Sequence, residues 1–271
     1  MDAAQLTTTV RTLNGLSRAQ LGKLSNIAPS TIGRIERGEL EPSWSSMIAI
    51  LNSGGFDLDA LVPRADVSAI AAARSVIGTD SGMLRDDYQI QPWLDRWKRA
   101  GLIDGVLALP GQVGQIALLA GNASKLGARA GVRDFAYTNP WQRTANALRN
   151  AGIRYAVTGI PAAEGGNSDY GSDSPVIYVD SPRAAAQTLE LEPAADGQRR
   201  LTLVPFDRVS TVGVWDDEQG FSWVDSVQGL VDAYASAGRS ADRADAVVPQ
   251  FERRVMIERL SALNRLTVAR T

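Results

Sequence analysis

Through the first sixty residues, apolar positions recur at three- and four-residue spacing, the period of helices that each bury one face. Ser17 followed by Gln20 is a capping box. The hydroxyl takes an orphan amide of a first turn while the Gln side chain reaches back, so a helix starts at Arg18. Leu21 and Leu24 are its apolar positions, three apart on one face, and it stops before Asn26, a residue that tolerates left-handed backbone. Pro29 opens the next helix because its φ is already helical and it has no amide to leave unpaired. That helix runs to about Arg37, with Ile32 and Ile35 as its inner stripe and Gly38 as its stop. Pro42 and Ser43 open a further helix, with Trp44, Met47, Ile48 and Leu51 as its stripe and Gly54-Gly55 as its end.

Beyond the Pro63–Asp66 stretch, where a Pro marks a boundary, the pattern changes. VSAIAAARSVIG reads as an Ala-rich helix, and IQPWLDRWKRAGLID as an amphipathic one with Trp93, Leu94 and Trp97 on one side. Its W-x-x-A-G-L-I ending also suits a winged-helix segment. NPWQRTANALRNAG reads as a helix capped at Asn139, feeding the strand IRYAVTG. Next come a helix over PAAEGG, the loop NSDYGSD, strand PVIYVD, helix SPRAAAQTL, strands RRLTLVPF and STVGVWD, and two long helical stretches to the end. This is an α+β order. The expected organisation is three regions: an all-α domain over 1–64, a helical or winged-helix-like region over 65–138, and an α+β domain over 139–271.

Composition narrows the chemistry. With 271 residues, 44% of them apolar, the chain can build sizeable cores and exceeds the usual single-domain size. It has no Cys and no His. Disulfides, thiolate and imidazole metal sites, Cys nucleophiles and Ser-His-Asp triads are thereby closed off, and only carboxylate–magnesium, Lys or Tyr chemistry stays open. The start MDAAQLTTTV has no basic segment followed by an apolar one, and no apolar run nears the roughly 20 residues of a membrane span, so a cytoplasmic protein without membrane partners is expected. The net charge is −2, so any polyanion contact must be local. Over residues 1–65, Arg11, Arg18, Lys23, Arg34, Arg37 and Arg64 face Asp2, Glu36, Glu39, Glu41, Asp57 and Asp59, six against six. The middle region is more basic, with Arg85, Arg96, Lys98, Arg99, Lys125, Arg129 and Arg133, which suggests a supporting phosphate contact there.

LSRAQLGKLSNIAPSTIGRIERGELEPSWSSMIAIL resembles the helix-turn-helix of the Cro/phage-repressor (XRE) family, in its L-S-x-x-x-L start, its S-T-I-x-R-I-E-R-G core and the P-S helix after it. In that family the second helix of the pair lies in the major groove of double-stranded DNA. The resemblance therefore implies that Ser30, Thr31 and Arg34 face base edges and that Arg18 meets a phosphate, with Pro29 and Arg37 in the same interface. A guanidinium such as that of Arg34 donates two bonds to guanine O6 and N7, worth about 1–3 kcal/mol of discrimination. Arg11 and Glu36 match the family's internal ion pair. Pro29 stands where the family has a long polar side chain. Ala28 replaces the usual Ser or Thr cap, which weakens that helix start by about 0.5–2 kcal/mol. A neutral module binds DNA weakly alone, so a homodimer on a palindromic operator is expected.

RYAVTGIPAA, PVIYVDSP, LVPFDRVS and WVDSVQGLVDAYASAGRSADRADAVV, in that order, resemble the C-terminal half of AbiEi-type antitoxins of type IV toxin–antitoxin systems, over about 140–250. That domain is related in fold to nucleotidyltransferases, whose chemistry needs a G-[GS] turn for phosphate and a D-x-[DE] strand whose carboxylates share magnesium. Here Ile160 follows Gly159, and Tyr178 stands where the first carboxylate should be, leaving Asp180 as a strand-end cap with Ser181-Pro182 opening a helix. A non-catalytic relative with no cofactor and no metal is expected. The glycines at 111, 114 and 121 read as turns, and Asp216, Asp217 and Glu218 as a solvated acidic turn. By these resemblances the chain is a repressor, antitoxin-like, beside a nucleotidyltransferase toxin. A phage- or mobile-element-type repressor without a toxin, and a DNA-targeted nucleotidyltransferase, remain as alternatives.

Overall fold

Caps decide where the first helices begin. In the computed structural model, which describes residues 2–55, 65–78, 88–137, 139–167, 174–236 and 240–268 (side chains to 261), Asp2 and Gln5 form a capping box at the head of α1 (Ala3–Leu13). Ser17 and Gln20 do the same for α2 (Arg18–Ser25), and Asn26 closes it in left-handed backbone at φ 56°. Pro29 occupies the first turn of α3 (Pro29–Glu36), behind an Ala28 that offers no side-chain cap. Ser43 accepts from the Ser46 amide to start α4 (Trp44–Ser53). The chain divides into two compact units, Met1–Arg64 and Ala65–Thr271.

The first unit buries Val10, Leu21, Ile32, Ile35, Met47, Ile50 and Leu51. Each such side chain contributes about 1.5–3 kcal/mol. Of the expected core residues, Ile48 is only partly buried, Ile50 taking its place, and two are at the surface: Leu24 is 59% and Trp44 70% exposed. The reason is geometric in each case. Leu21 already fills the inward line of the two-turn α2, and Trp44, the first residue of α4, precedes the turn whose inner face carries Met47, Ile50 and Leu51.

The second unit joins helices to a six-stranded mixed sheet. α5 (Val67–Ile77), α6 (Gln91–Arg99) and α7 (Val113–Ala123) come first, then β1 (Arg133–Ala136) and α8 (Trp141–Asn150). β2 (Tyr155–Val157), the single turn α9 (Ile160–Ala163), β3 (Val176–Val179), α10 (Pro182–Thr188) and β4 (Arg200–Pro205) are next. β5 (Trp215–Asp216), β6 (Ser222–Trp223), α11 (Ser226–Ala235) and α12 (Ser240–Val268) complete it. The sheet order is β1-β4-β3-β2-β6-β5. β3 and β4 are parallel, linked through α10, whereas β1–β4 and β2–β3 are antiparallel.

Residues from the expected middle and C-terminal regions share one core. α5, buried from Ser68 to Ile77, packs with α7 and α11, and Ile70, Val76, Trp97, Ile116, Leu230 and Phe251 lie together. Gly121 permits this approach, because a Cβ there would stand 2.9 Å from the Val231 carbonyl oxygen. Gly114 and Gly121 are therefore helical, inside α7, and not turns. After α6 the chain makes a tight turn closed by an Ile103–Ala108 bridge. A second core covers the sheet, around Trp141, Leu148, Tyr178 and Trp223.

Three further expectations change. α8 starts at Trp141 with Pro140 as its cap residue, and Asn139 instead accepts from Arg143. Of STVGVWD only Trp215–Asp216 is strand, because the Asp207 carboxylate takes the Val209 and Ser210 amides and curls that segment into a turn. The acidic turn is structural: Asp217 accepts from the Gln219 and Phe221 amides and from the Trp223 indole. Arg85, most of the NSDYGSD loop and the Pro63–Arg64 end of the boundary lie outside the described residues. Among the described residues no helix is long and apolar enough to cross a membrane.

Candidate nucleic-acid interface

Pro29 leads the outer surface of α3 and sets the direction in which that helix leaves the turn. Ser30 and Arg34 are four apart, on one exposed line, with half-buried Thr31 beside them, while Ile32 and Ile35 face the core. The Arg34 side chain makes no hydrogen bond or ion pair among the described residues. The uncapped amides at the start of α3 and this free guanidinium point the same stretch of surface toward an acceptor-rich partner.

The other two expected contacts are already engaged. Arg18 Nε donates to Glu36 Oε2 at 2.6 Å, while Arg11 Nε donates to Glu36 Oε1 at 2.5 Å. Glu36 is thus a shared acceptor, its side chain 3% exposed, tying α1 and α2 to the end of α3. Burial works to raise its carboxyl, but hydrogen bonds from Arg11 and then Arg18 prevail and hold it below the ordinary carboxylate range. The sequence pointed to Arg11 as its partner. Arg18 as a second was missed, although its place at the head of α2 offered it. Arg18 is half exposed with only its Nε engaged, so its terminal amino groups stay available. Arg37 donates twice to Glu39, at 2.6 and 2.9 Å, in an exposed fork. Glu39 raises the guanidinium and is itself lowered by it.

Residues 9–61 match the Helix-turn-helix family. The match takes in the C-terminal part of α1 and all of α2, α3 and α4. No curated protein and no solved structure matches the chain. The helix-turn-helix unit therefore carries its candidate base-reading groups, Ser30, Thr31 and Arg34, on the second helix of its pair, with Arg18 at the head of the first.

The second unit has a polar centre that sequence reasoning did not find. Asp232, wholly buried on α11, accepts from Arg129 at 2.9 Å on one oxygen. Its other oxygen accepts from Thr158 at 2.7 Å, Tyr178 at 2.9 Å and Gln228 at 3.1 Å. Arg129 also donates to the Tyr178 hydroxyl. Burial, and then the Asp232 charge, push the Tyr178 phenol well above its ordinary value, so it stays protonated and donates. The one legible signal was an Asp inside the apolar run GLVDAYA. Arg129 is consequently unavailable to a phosphate. Asp180 does not cap the helix; Ser181 does, accepting from Ala184, while Asp180 pairs with Arg154 at 2.8 Å, both largely exposed. Among the described residues no three acidic side chains cluster as metal ligands.

Proposed function

We propose that this chain is a sequence-specific DNA-binding transcriptional regulator that represses by occupying its operator. The observation that carries the reading is the outer line of α3: a helix-turn-helix whose second helix presents Ser30 and an unpaired Arg34, with Thr31 beside them. Arg34 reads guanine, Ser30 and Thr31 supplement it, and Arg18 meets a phosphate through the amino groups that Glu36 leaves free. Because the unit is charge-neutral by sequence, it acts as a homodimer on a palindrome, doubling its contacts. Footprinting of the tagged full chain across the genome tests this. Protected half-sites about one helical turn, 34–36 Å, apart are expected. Occupancy with no recurring sequence overturns it.

The finer role rests on the resemblance of the C-terminal half to AbiEi-type antitoxins: an autorepressor, cytoplasmic, whose partner is a nucleotidyltransferase toxin. Two features support a non-catalytic second unit. By that resemblance Tyr178 stands where a metal-binding carboxylate is needed, and Asp232 has both oxygens saturated by protein donors. Nucleotide transfer by the purified protein with magnesium, abolished by Asp180→Ala, is the result that overturns this part alone. A neighbouring gene without nucleotidyltransferase activity removes the toxin and leaves a repressor of phage type.

A further inference from the structure

α10 and β1 wall an open pocket of about 460 Å3 in the second unit. From β1 it receives Arg133 and Phe135, alternate residues and so on one face of the strand. From α10 it receives Arg183, Ala186 and Gln187, with Glu190 and Leu191 from the turn just beyond the helix; positions 183, 186 and 187 share one helical face. The topology orders these groups. α10 connects parallel β3 and β4 and so runs against both, and β1 is antiparallel to β4, so α10 and β1 run the same way. The Ala136 amide bonded to the Glu192 carbonyl, at 2.8 Å, fixes their C-terminal ends together. Arg133 and Arg183 therefore stand at one end of the pocket. Glu190, past the end of α10, stands at the other, with Phe135 and Ala186 between them and Leu191 beside it as an apolar floor.

Neither guanidinium has a hydrogen bond or ion pair among the described residues, and both are exposed. Two unpartnered arginines converging on one end of a cavity suit a phosphate, which accepts from both at once. The apolar middle suits a flat or aliphatic body, and a carboxylate with an amide suits hydrogen-bond donors at the far end. The pocket volume falls in the range of small-molecule sites.

We propose that this pocket binds a nucleoside monophosphate whose base carries an exocyclic amine. The phosphate lies between Arg133 and Arg183, the sugar and base cover Phe135 and Leu191, and the amine donates to Glu190. The site belongs to the second unit alone, so it stands or falls separately from the DNA-binding reading. Calorimetric titration of the full chain with adenosine and cytidine monophosphates tests it. Saturable binding is expected, weakened at least about tenfold in Arg133→Met/Arg183→Met and likewise for adenosine, which lacks the phosphate. Inosine monophosphate, without the amine, binds more weakly to the wild type but as well as adenosine monophosphate does to Glu190→Ala. Both arginines are exposed and unpaired, so circular dichroism of the double variant should match the wild type; Arg183→Met alone serves if it does not. No saturation by either nucleotide at millimolar concentration, unchanged affinity in the arginine variants, or inorganic phosphate bound as tightly as the nucleotides each overturns the proposal.

Discussion

Glu36 in the helix-turn-helix unit and Asp232 in the second unit are both carboxylates withdrawn from water and held by arginine, but their cations are placed differently. Arg11 is 22% and Arg18 50% exposed around Glu36, whereas Arg129 is 5% exposed beside Asp232. In the first arrangement the buried anion aims guanidiniums that still touch solvent. In the second, anion and cation neutralise each other inside a closed set of hydroxyl and amide donors, where no ligand can reach them. The chemistry is the same and the exposure of the cation decides its use. A pair can organise a binding surface only if part of its charge is left over.

The largest effect is expected where nothing is left over. Asp232→Ala strands Arg129 without an anion and frees the Tyr178 and Thr158 hydroxyls, so the second unit should lose about 3–5 kcal/mol. Trp97, Trp141 and Trp223 are buried in that unit, so denaturant unfolding followed by Trp emission reads it directly. A loss below about 1 kcal/mol, the worth of one ordinary hydrogen bond, means that water or a rearrangement supplies Arg129, and the contrast between the units disappears.

Glu36→Gln should cost less, about 2–3 kcal/mol, since the arginines it releases are partly solvated. It also has a pH signature. The Glu36 carboxyl is held below its ordinary value, so its contribution is full above the ordinary carboxylate range and is lost as pH falls through the lowered one. Hydrogen exchange of the α1–α4 amides in the full chain should show protection declining on the acid side in the wild type and a flatter profile in Glu36→Gln. Equal acid slopes in both proteins place the linkage elsewhere.

This contrast also marks how far the sequence could be read. Local signals carried the first unit well, because Ser17 with Gln20, Pro29, Asn26 and Gly38 each act on the nearest turn and need nothing distant. Leu24 and Trp44 were misplaced for the complementary reason: apolar spacing gives a face, but only packing says whether anything covers it. The network around Asp232 was out of reach, since its members are brought together from α11, β3, the end of β2 and the segment before β1. The pocket between α10 and β1 was hidden in the same way, its two arginines fifty positions apart. At the candidate interface, the placing of Ser30, Thr31 and Arg34 together on α3 was legible from their spacing, while the fork from Arg37 to Glu39 was seen only as one interface cation and one acid in the charge count.

Arg34→Ala tests the exposed side of the comparison. Arg34 has no role in holding the unit together, so melting should be unchanged while preference for the operator over random duplex falls by about 1–3 kcal/mol, roughly 5- to 150-fold. Fluorescence anisotropy with both duplexes at fixed salt gives the ratio. If operator and random affinities fall equally, Arg34 touches phosphate and not base, and recognition lies elsewhere on the surface.

The smallest effect concerns Arg37, whose exposed fork to Glu39 occupies charge that DNA could use. Glu39→Gln leaves the fold untouched and frees a guanidinium at the C-terminal end of α3. Binding to any duplex should then tighten, and the dependence of log affinity on log salt should steepen by about 0.9 per site, the release of counterions from one more phosphate. The operator-to-random ratio should stay constant, which separates this variant from Arg34→Ala. A slope equal to that of the wild type shows that Arg37 is turned away from the duplex. The Arg37–Glu39 fork would then resemble the Arg129–Asp232 pair in function despite its exposure, and solvent access alone would no longer predict which arginines the protein spends on DNA.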